Sequence, residues 1–439
     1  MKVCKFGGTS MSDAASITKS ADIVKSDPER KIVVVSAPGK VNGEEKVTDI
    51  LISCYETVKK GNSCKAIFSK VENRFDNIIK GLKLNIDLTK QFSKILIDID
   101  SGASKDYVAS RGEYLMAIVF AEVLGFEFVD AENIIKFYPD KTFDSEYTND
   151  YCEKVLNEFR EKGAVIPGFY GRTPDGVICT FSRGGSDVTG SILARAIKAE
   201  LYENWTDVNG FMMCDPRIIN NPRKIDVLSY KELRELSYMG ATVLHPESIF
   251  PVRRADIPIN IKNTFEPQNS GTMIVPSKNY EGQNGRIITG IAGKKEFTAI
   301  FIEKSMMNSE LGFARKALSV LEHYDVSIEH MPTGIDTLSL IIESSNLEGK
   351  LDHVLARFQA ILNPDHIEVL EHISMIATVG HGMNERKGTA AKLFGALYQA
   401  GINIKMIDQG SSELNIIVGV DNSDFEKAIE AIYNAFVLE

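Results

Sequence analysis

The last third of the chain contains an internal repeat, and this repeat is the feature that most constrains the fold. Residues 299–342 align without a gap on residues 375–418, at an offset of 76. Each copy has a strand-like segment, a helix that begins at a glycine, and two more strand-like segments. An amphipathic helix follows each copy, near 351–362 and 424–436. The pattern predicts two βαββαβ sandwiches of about 70 residues each.

A short loop joins the first strand to the first helix in each copy, at 306–312 and 380–388. The free N–H groups at the start of each helix could hold a small carboxylate. Two interpretations stay open on the pattern alone: the copies only dimerise the chain through sheet edges or faces, or they also bind a ligand. The arrangement resembles the ACT domain, a module that binds amino acids between paired copies.

The charge distribution changes where the repeat begins. Residues 1–294 contain 39 basic and 39 acidic side chains, whereas residues 295–439 contain 11 and 21 and carry the whole net charge of −10. This step predicts a domain boundary near residue 294. An acidic chain without a basic run is a poor candidate for binding nucleic acid. No apolar run is long enough to span a bilayer, and the N-terminus lacks a signal-peptide pattern, so we expect a soluble, cytoplasmic protein without a membrane partner.

The first 290 residues alternate between strand-like and helical patterns. The strand-like runs are VCKF, IVVVSA, AVIPGF, VICTF and PINIK. This alternation predicts an α/β fold with a mostly parallel sheet and functional loops at the carboxyl ends of the strands. The six cysteines are scattered without a CxxC pair, so we expect small buried hydrophobes rather than a disulfide or zinc framework.

Three strand-end loops carry residues suited to binding anions. The first is KFGGTS, residues 5–10, where a lysine and two glycines precede a helix; its N–H groups and the Lys5 charge suit a phosphate. The second is SRGGSD, residues 182–187, where Arg183 can grip a carboxylate while Asp187 can cap the helix or face an ammonium. A plain turn or cap is the alternative for each loop alone. Two such loops in one domain favour cradles for a phosphate donor and an anionic acceptor.

The third loop is TDVNG, residues 206–210, followed by CDPR, residues 214–217. An aspartate after a strand could receive a ribose or a base, and Arg217 could reach a phosphate. An Asp-Pro turn of this kind is also common as a purely structural feature.

Taken in order along the chain, six motifs closely resemble those of the aspartokinase family. They are KFGGTS (5–10), RGE (111–113), SRGGSD (182–187), WTDVNG (205–210), DPR (215–217) and GATVLHP (240–246). The resemblance covers essentially the whole chain, because a tandem ACT pair also follows the catalytic domain in that family. It implies an amino-acid-kinase domain with an αβα sandwich at 1–292, followed by ferredoxin-like ACT domains at 295–368 and 370–439.

The family's reaction is phosphorylation of the aspartate β-carboxylate by MgATP to give 4-phospho-L-aspartate, on the pathway to lysine, threonine and methionine. The acceptor carboxylate has a reference pKa of about 3.9 and is already ionised at neutral pH, so the transfer needs no general base. It needs positioning and charge neutralisation instead. No acidic or histidine cluster forms a metal cage in the sequence, so we expect Mg²⁺ to arrive with ATP and to be held mainly by its phosphates.

The resemblance also assigns roles to individual residues. Lys5 stabilises the transferring phosphoryl group, and Asp187 organises that lysine and the substrate ammonium; these two are the expected catalytic residues. The residues expected at aspartate are Thr48, Glu113, Arg183, Gly184, Gly185 and Ser186, with Glu113 near the ammonium and Arg183 on the α-carboxylate. The residues expected at ATP are Lys5, Gly7, Gly8, Ser10, Thr206, Asp207, Met212, Arg217 and Lys262.

One stretch departs from the family pattern. The family often has an aromatic residue and threonines just before DPR, where this chain has Met212, Met213 and Cys214. We therefore expect apolar packing by Met212 at the adenine. His245 in VLHP is expected to be structural.

The resemblance places an effector, lysine alone or together with threonine, at the first ACT repeat. The expected contacts are Met307, Glu310, Phe313, Ser327 and Glu329, with Glu329 facing the ε-ammonium. Pairing of ACT domains implies a homodimer or a dimer of dimers.

Three other functions are alternatives to aspartate phosphorylation. The chain could phosphorylate glutamate or acetylglutamate on the same fold, although RGE with SRGGSD favours a free amino acid. It could be an inactive amino-acid sensor, which the intact Lys5, Glu113, Arg183 and Asp187 disfavour. A bifunctional homoserine dehydrogenase is disfavoured because no GxGxxG segment follows the repeats.

Overall fold

The computed structural model describes residues 1–41, 43–182, 184–241, 243–244, 246–280, 282, 285–384 and 386–438. The chain forms two compact units. The first unit contains Met1–Phe211, Lys224–Leu233 and Thr242–Glu281, and the second contains Met212–Arg223, Arg234–Ala241 and Gly282–Glu439. Two short segments that precede the expected boundary near residue 294 therefore belong to the second unit.

The first unit is built from ten strands and its surrounding helices. The strands are β1 (Lys2–Phe6), β2 (Arg30–Val35), β3 (Glu127–Phe128), β4 (Ala164–Pro167), β5 (Tyr170–Arg172), β6 (Ile178–Thr180), β7 (Leu201–Thr206), β8 (Val227–Ser229), β9 (Ile259–Asn263) and β10 (Thr272–Val275). The helices are α1 (Ala14–Lys25), α2 (Val47–Lys59), α3 (Lys65–Leu82), α4 (Thr89–Asp100), α5 (Lys105–Leu124), α6 (Ala131–Ile134), α7 (Ser145–Asn157), α8 (Gly185–Ala196), α9 (Tyr230–Tyr238) and α10 (Phe250–Arg254), the last residues of α9 belonging to the second unit.

Eight strands form one sheet in the order β3-β4-β2-β1-β7-β9-β10-β8. The pairs from β3 to β9 are all parallel, whereas β10 pairs antiparallel with β9 and parallel with β8, so β10 and β8 run opposite to the other six strands. The expected mostly parallel sheet is confirmed. The strands β5 and β6 form a separate antiparallel pair.

Alternation along the central strands sends side chains to two different layers of helices. Cys4, Phe6 and Trp205 belong to a hydrophobic core on one face of the sheet, to which helices α1 to α5 contribute the other side chains. Lys5 and Asn204 alternate with these residues along β1 and β7 and therefore point to the other face of the sheet. There, both side chains contact Asp187 in the first turn of α8. The arrangement is the expected αβα sandwich. All six cysteines are buried and unpaired, which confirms their assignment as small hydrophobes.

The second unit carries the repeat. Its strands are β11 (Gly290–Glu303), β12 (Thr337–Glu343), β13 (His366–Val379), β14 (Met406–Asp408) and β15 (Asn415–Asp421). Its helices are α11 (Phe313–His323), α12 (Ser344–Leu347), α13 (Leu351–Leu362), α14 (Thr389–Gln399) and α15 (Phe425–Tyr433). The five strands form one antiparallel sheet in the order β12-β11-β13-β15-β14. The two copies therefore share a sheet through the 14-residue strands β11 and β13.

The shared sheet differs in detail from two separate sandwiches. The strand expected at VSIEHM, residues 326–331, is irregular and makes one isolated bridge, between His330 and Ile341. Pro332 follows at once and lacks the N–H that would continue a ladder. The corresponding segment in the second copy shortens to β14.

Candidate active site

The strand order places a crevice at the centre of the main sheet. From β1 the chain adds β2 and β4 on one side and later returns to add β7 and β9 on the other. Ligands of open α/β sheets bind outside the carboxyl ends of the strands at such a switch point. The loops that leave β1, β2, β7 and β9 at this edge contain the first and third predicted loops.

Lys5 lies at this switch point and is 8% exposed. Its ammonium Nζ lies 2.7 Å from Oδ1 of Asp187, in the first turn of α8. The same oxygen accepts a hydrogen bond of 2.9 Å from the Nδ2 group of Asn204. Asp187 therefore faces an ammonium rather than capping its helix. The N-cap is Gly184, without a side-chain cap bond.

The first glycine loop packs backbone against backbone. Gly39 N donates to Gly8 O at 2.8 Å, and a Cβ at Gly39 would lie 2.7 Å from the carbonyl carbon of Gly8. Gly7 N donates to Trp205 O at 2.9 Å, which ties the loop to the end of β7. The Ser10 hydroxyl lies 2.8 Å from the hydroxyl of Thr264, after β9. These contacts hold three strand-end loops together around Lys5.

The second glycine loop leads directly into α8. Gly184 has φ 56°, a left-handed conformation that glycine adopts without steric cost. A Cβ at Gly185 would lie 2.3 Å from the ring of Phe169, and one at Gly168 would lie 2.5 Å from the Ser186 hydroxyl oxygen. Small residues are therefore required for α8 to start here, with its unpaired N–H groups near Lys5. The predicted carboxylate clamp, Arg183, lies outside the described residues, as does His245.

Glu113 is buried in α5 and is 6% exposed. The N–H of Ala37 donates to its carboxylate, but Oε2 has no hydrogen-bond partner among the described residues. Burial raises its pKa from 4.5 to about 7. An unpaired buried carboxylate oxygen is a ready site for a ligand cation. Thr48 is half-buried in the first turn of α2. Its neighbour Val47 donates through its backbone N–H to Pro38 O, which places the start of α2 beside the Ala37–Pro38 segment that contacts Glu113.

The residues expected at the nucleotide divide between the two units. In the first, the Asp207 carboxylate accepts hydrogen bonds from the hydroxyls of Thr206 and Thr9, at 3.2 and 3.0 Å. Lys262 Nζ lies 5.0 Å from the centre of the Trp205 ring, and burial lowers the pKa of this lysine from 10.5. Both groups sit at the carboxyl ends of β7 and β9.

Met212 and Arg217 belong to the second unit, in Met212–Arg223. Met212 is half-buried there, and the exposed guanidinium of Arg217 pairs with Asp215 at 2.6 Å. Their assignment to ATP stays a prediction.

Comparison with known proteins agrees with this geometry. A model of the amino acid kinase family matches residues 1–263, and a model of the ACT domain matches residues 376–436. The chain is 37% identical to aspartokinase 3 of Bacillus subtilis strain 168, over 99% of this chain and 98% of that protein. The chain belongs to the aspartokinase family.

Two further members of the aspartokinase family extend the comparison. The crystal structure of Clostridium acetobutylicum aspartate kinase superimposes with a TM-score of 0.94 at 50% identity, covering 99% of this chain and 100% of that one. Lysine-sensitive aspartokinase 3 of Escherichia coli K12 is 25% identical over 98% of both chains. The family and fold expected from the motifs are thereby confirmed.

Three of the residues expected at the effector, Met307, Glu310 and Phe313, lie just before or at the start of α11, and the other two, Ser327 and Glu329, follow its end. Met307 and Phe313 are buried in the core of the first copy. The carboxylate of Glu310 pairs with Lys304 and Lys316, each at 2.6 Å, and these bonds lower its pKa below 4.5.

Two polar members of that set have partners within the second unit. The Ser327 hydroxyl accepts from Asn346 at 3.0 Å. The Glu329 carboxylate accepts a hydrogen bond from the hydroxyl of Tyr238, at the end of α9. An effector ammonium would therefore have to share or replace the Tyr238 contact at Glu329.

Sequence reasoning missed Asn204, Thr9 and Gly39. Thr9 lies within KFGGTS, but nothing in the motif shows that its hydroxyl reaches Asp207. Gly39 follows β2 in a Pro-Gly pair that looks like an ordinary turn. Asn204 is a polar residue in the strand expected just before Asp207, and its polarity there is the one signal that could have identified it.

The described ranges contain neither a metal-binding cluster nor a membrane-spanning helix. No group of three or more histidine, cysteine or acidic side chains there could hold a metal ion. No helix in those ranges combines the length and apolar character needed to cross a membrane.

Proposed function

We propose that this family member catalyses ATP-dependent phosphorylation of the L-aspartate β-carboxylate to 4-phospho-L-aspartate. The observation that carries the proposal is the pair of buried Lys5 and half-buried Asp187, set at the switch point between a glycine loop and the start of α8. Transfer between two anions needs fixed positive charge in a site with little water. The Lys5 ammonium and the loop N–H groups supply it.

The aspartate is proposed to bind between α5 and α8. Its ammonium would meet the unpaired Oε2 of Glu113, which is buried and has no other described partner. Its α-carboxylate would lie at the N-terminus of α8, with Arg183 as its expected clamp. Gly184, Gly185 and Ser186 would line the pocket, since the tight packing there leaves no room for larger side chains.

The nucleotide is proposed to lie along Gly7, Gly8 and Ser10, with Thr206, Asp207 and Lys262 at its far end. Magnesium bound to its phosphates would neutralise part of their charge. This chain's own contribution is the position of the Lys5 ammonium and of the loop amides. Binding of Met212 and Arg217 to the nucleotide belongs to the same proposal.

Regulation is proposed to act through the repeats. The E. coli relative is named a lysine-sensitive aspartokinase, and the expected effector contacts include Glu329, a carboxylate suited to an ε-ammonium. We propose inhibition by lysine, alone or with threonine. Cytoplasmic location, a homodimer or dimer of dimers, and a place at the first step toward lysine, threonine and methionine complete the proposal.

The activity is tested by trapping the acyl phosphate with hydroxylamine. Hydroxamate should form only with both ATP and aspartate, and Lys5→Met should abolish it. The matched control is Lys90→Met, at an exposed position of α4, which should retain wild-type activity. Hydroxamate formed with glutamate but not with aspartate would move the chain to another acceptor. Nucleotide and carboxylate binding without product would indicate a sensor.

The effector is tested in the same assay. Lysine should lower hydroxamate formation, and Glu329→Ala should abolish that response without changing the basal rate. An unchanged inhibition constant in Glu329→Ala would refute the assignment of Glu329 but leave the kinase activity intact.

A further inference from the structure

Asp187 is held at both its side chain and its main chain by one strand. Asn204 Nδ2 donates to the Asp187 carboxylate at 2.9 Å, and the Tyr202 hydroxyl donates to the Asp187 carbonyl oxygen at 3.1 Å. Both donors are on β7, two positions apart, so they point to the same face of the sheet. Asn204 is 4% exposed and Tyr202 is fully buried.

The strand register brings these groups to Lys5. In the parallel pair of β1 and β7, Lys5 is the direct partner of Asn204. Their side chains leave the sheet side by side toward α8, and both end on Oδ1 of Asp187. The carboxylate oxygen is thus shared by an ammonium and an amide.

Helix α8 is shaped to receive Tyr202. A Cβ at Gly190 would lie 2.6 Å from the Tyr202 hydroxyl oxygen, so a glycine one turn after Asp187 makes room for the tyrosine. The contact is therefore built from three places in the chain: β1, β7 and the glycine-containing turn of α8.

We propose that Asn204, supported by Tyr202, is a positioning residue that fixes the Lys5 ammonium for phosphoryl transfer by holding the Asp187 carboxylate in place. This proposal rests on the function proposed above. A lysine side chain is long and flexible, and its ammonium is a point charge without directional preference of its own. Its location is set by the anion it pairs with.

Asn204 acts on that anion in two ways. It fixes the rotation of the carboxylate, so that one oxygen faces Lys5. It also donates to the same oxygen and so reduces the negative charge that opposes the ammonium, leaving more of the Lys5 charge for the transferring phosphoryl group. The amide itself touches neither substrate nor nucleotide in this arrangement.

The test compares kcat and KM of the full-length enzyme in the hydroxamate assay. Asn204→Leu keeps the side-chain size and removes the donor, and kcat should fall about ten- to a hundredfold, as for loss of a hydrogen bond to a charged group. The KM for aspartate should stay within about twofold, because the contact acts on the transferring group. The matched control is Asn260→Leu, on the adjacent strand β9, whose side chain does not contact Asp187.

A double-mutant cycle separates positioning from general damage. If Asn204 acts only through the Asp187 carboxylate, then Asp187→Ala with Asn204→Leu should be as slow as Asp187→Ala alone, because alanine removes the acceptor oxygen. Tyr202→Phe removes a single hydroxyl and preserves packing, so it tests the same idea should Asn204→Leu fold poorly. Its kcat should fall about threefold or more, and the loss should vanish in the Asp187→Ala background, which has no carboxylate to position.

Three results would overturn the proposal. They are a kcat for Asn204→Leu within about twofold of wild type, additive losses in the double mutant, and an equal loss in Asn260→Leu. A wild-type enzyme that forms no hydroxamate with aspartate would instead refute the proposed function, so the two failures are distinguishable.

Discussion

Replacing Glu113 by glutamine should stabilise the ligand-free protein at alkaline pH while weakening aspartate binding. Burial raises the pKa of Glu113 from 4.5 to about 7. Between these values the folded chain keeps a proton that the unfolded chain loses, so stability falls as pH rises through this window. Each pKa unit corresponds to about 1.4 kcal/mol, which gives a cost of about 3 kcal/mol above pH 7.

The glutamine is neutral at every pH and lacks this dependence. Between pH 5.5 and 8.5, the free energy of unfolding of wild type should therefore fall by about 2 kcal/mol relative to that of Glu113→Gln. Urea denaturation followed by tryptophan fluorescence is the assay. The chain has a single tryptophan, Trp205, which is 1% exposed in β7 and so reports on the first unit alone.

Aspartate should reverse the order of stability of wild type and Glu113→Gln. Aspartate brings an ammonium to the unpaired Oε2, so it should stabilise wild type at pH 8 and have little effect on Glu113→Gln. The KM of wild type for aspartate should rise as pH falls below about 7, because the protonated Glu113 carboxyl loses its attraction for the substrate ammonium. The matched control is Glu122→Gln, exposed on the same helix, which should follow wild type throughout. Parallel pH profiles of wild type and Glu113→Gln would refute the reasoning.

Three further changes test other contacts. Gly39→Ala would place a Cβ 2.7 Å from the Gly8 backbone, so the KM for ATP should rise about tenfold or more in steady-state assays. The control Gly395→Ala, whose Cβ would enter open space on α14, should leave the KM for ATP unchanged. Arg30→Met leaves the buried Glu203 carboxylate without its ion-pair partner at 2.7 Å and should lower the free energy of unfolding by about 3–5 kcal/mol in urea; a loss below about 1 kcal/mol would contradict this. Tyr238→Phe frees the Glu329 carboxylate, so half-maximal inhibition by lysine should need about fivefold less lysine. Weaker inhibition would show that Tyr238 supports the effector instead of competing with it.

The sequence by itself determined the location of the site and the order of its parts. Glycines directly after strand-like runs predict loops at the carboxyl edge of a parallel sheet, and KFGGTS lies there, after β1. SRGGSD instead follows β6 of the separate antiparallel pair and leads into α8, so the expectation of a parallel strand before it was wrong. The internal repeat likewise determined the order of strands and helices in the last third. These features depend on short-range periodicity and turn chemistry, which the local sequence contains.

Only the tertiary structure decided which side chains meet. Lys5, Asn204 and Asp187 converge because β1 and β7 pair in one register, although 199 residues separate the first two. The raised pKa of Glu113 arises from the packing of α5 against the loop after β2. The strands β11 and β13 run through both copies of the repeat and merge two predicted sandwiches into one sheet. Register, burial and sheet sharing depend on contacts between distant segments, and no local pattern specifies them.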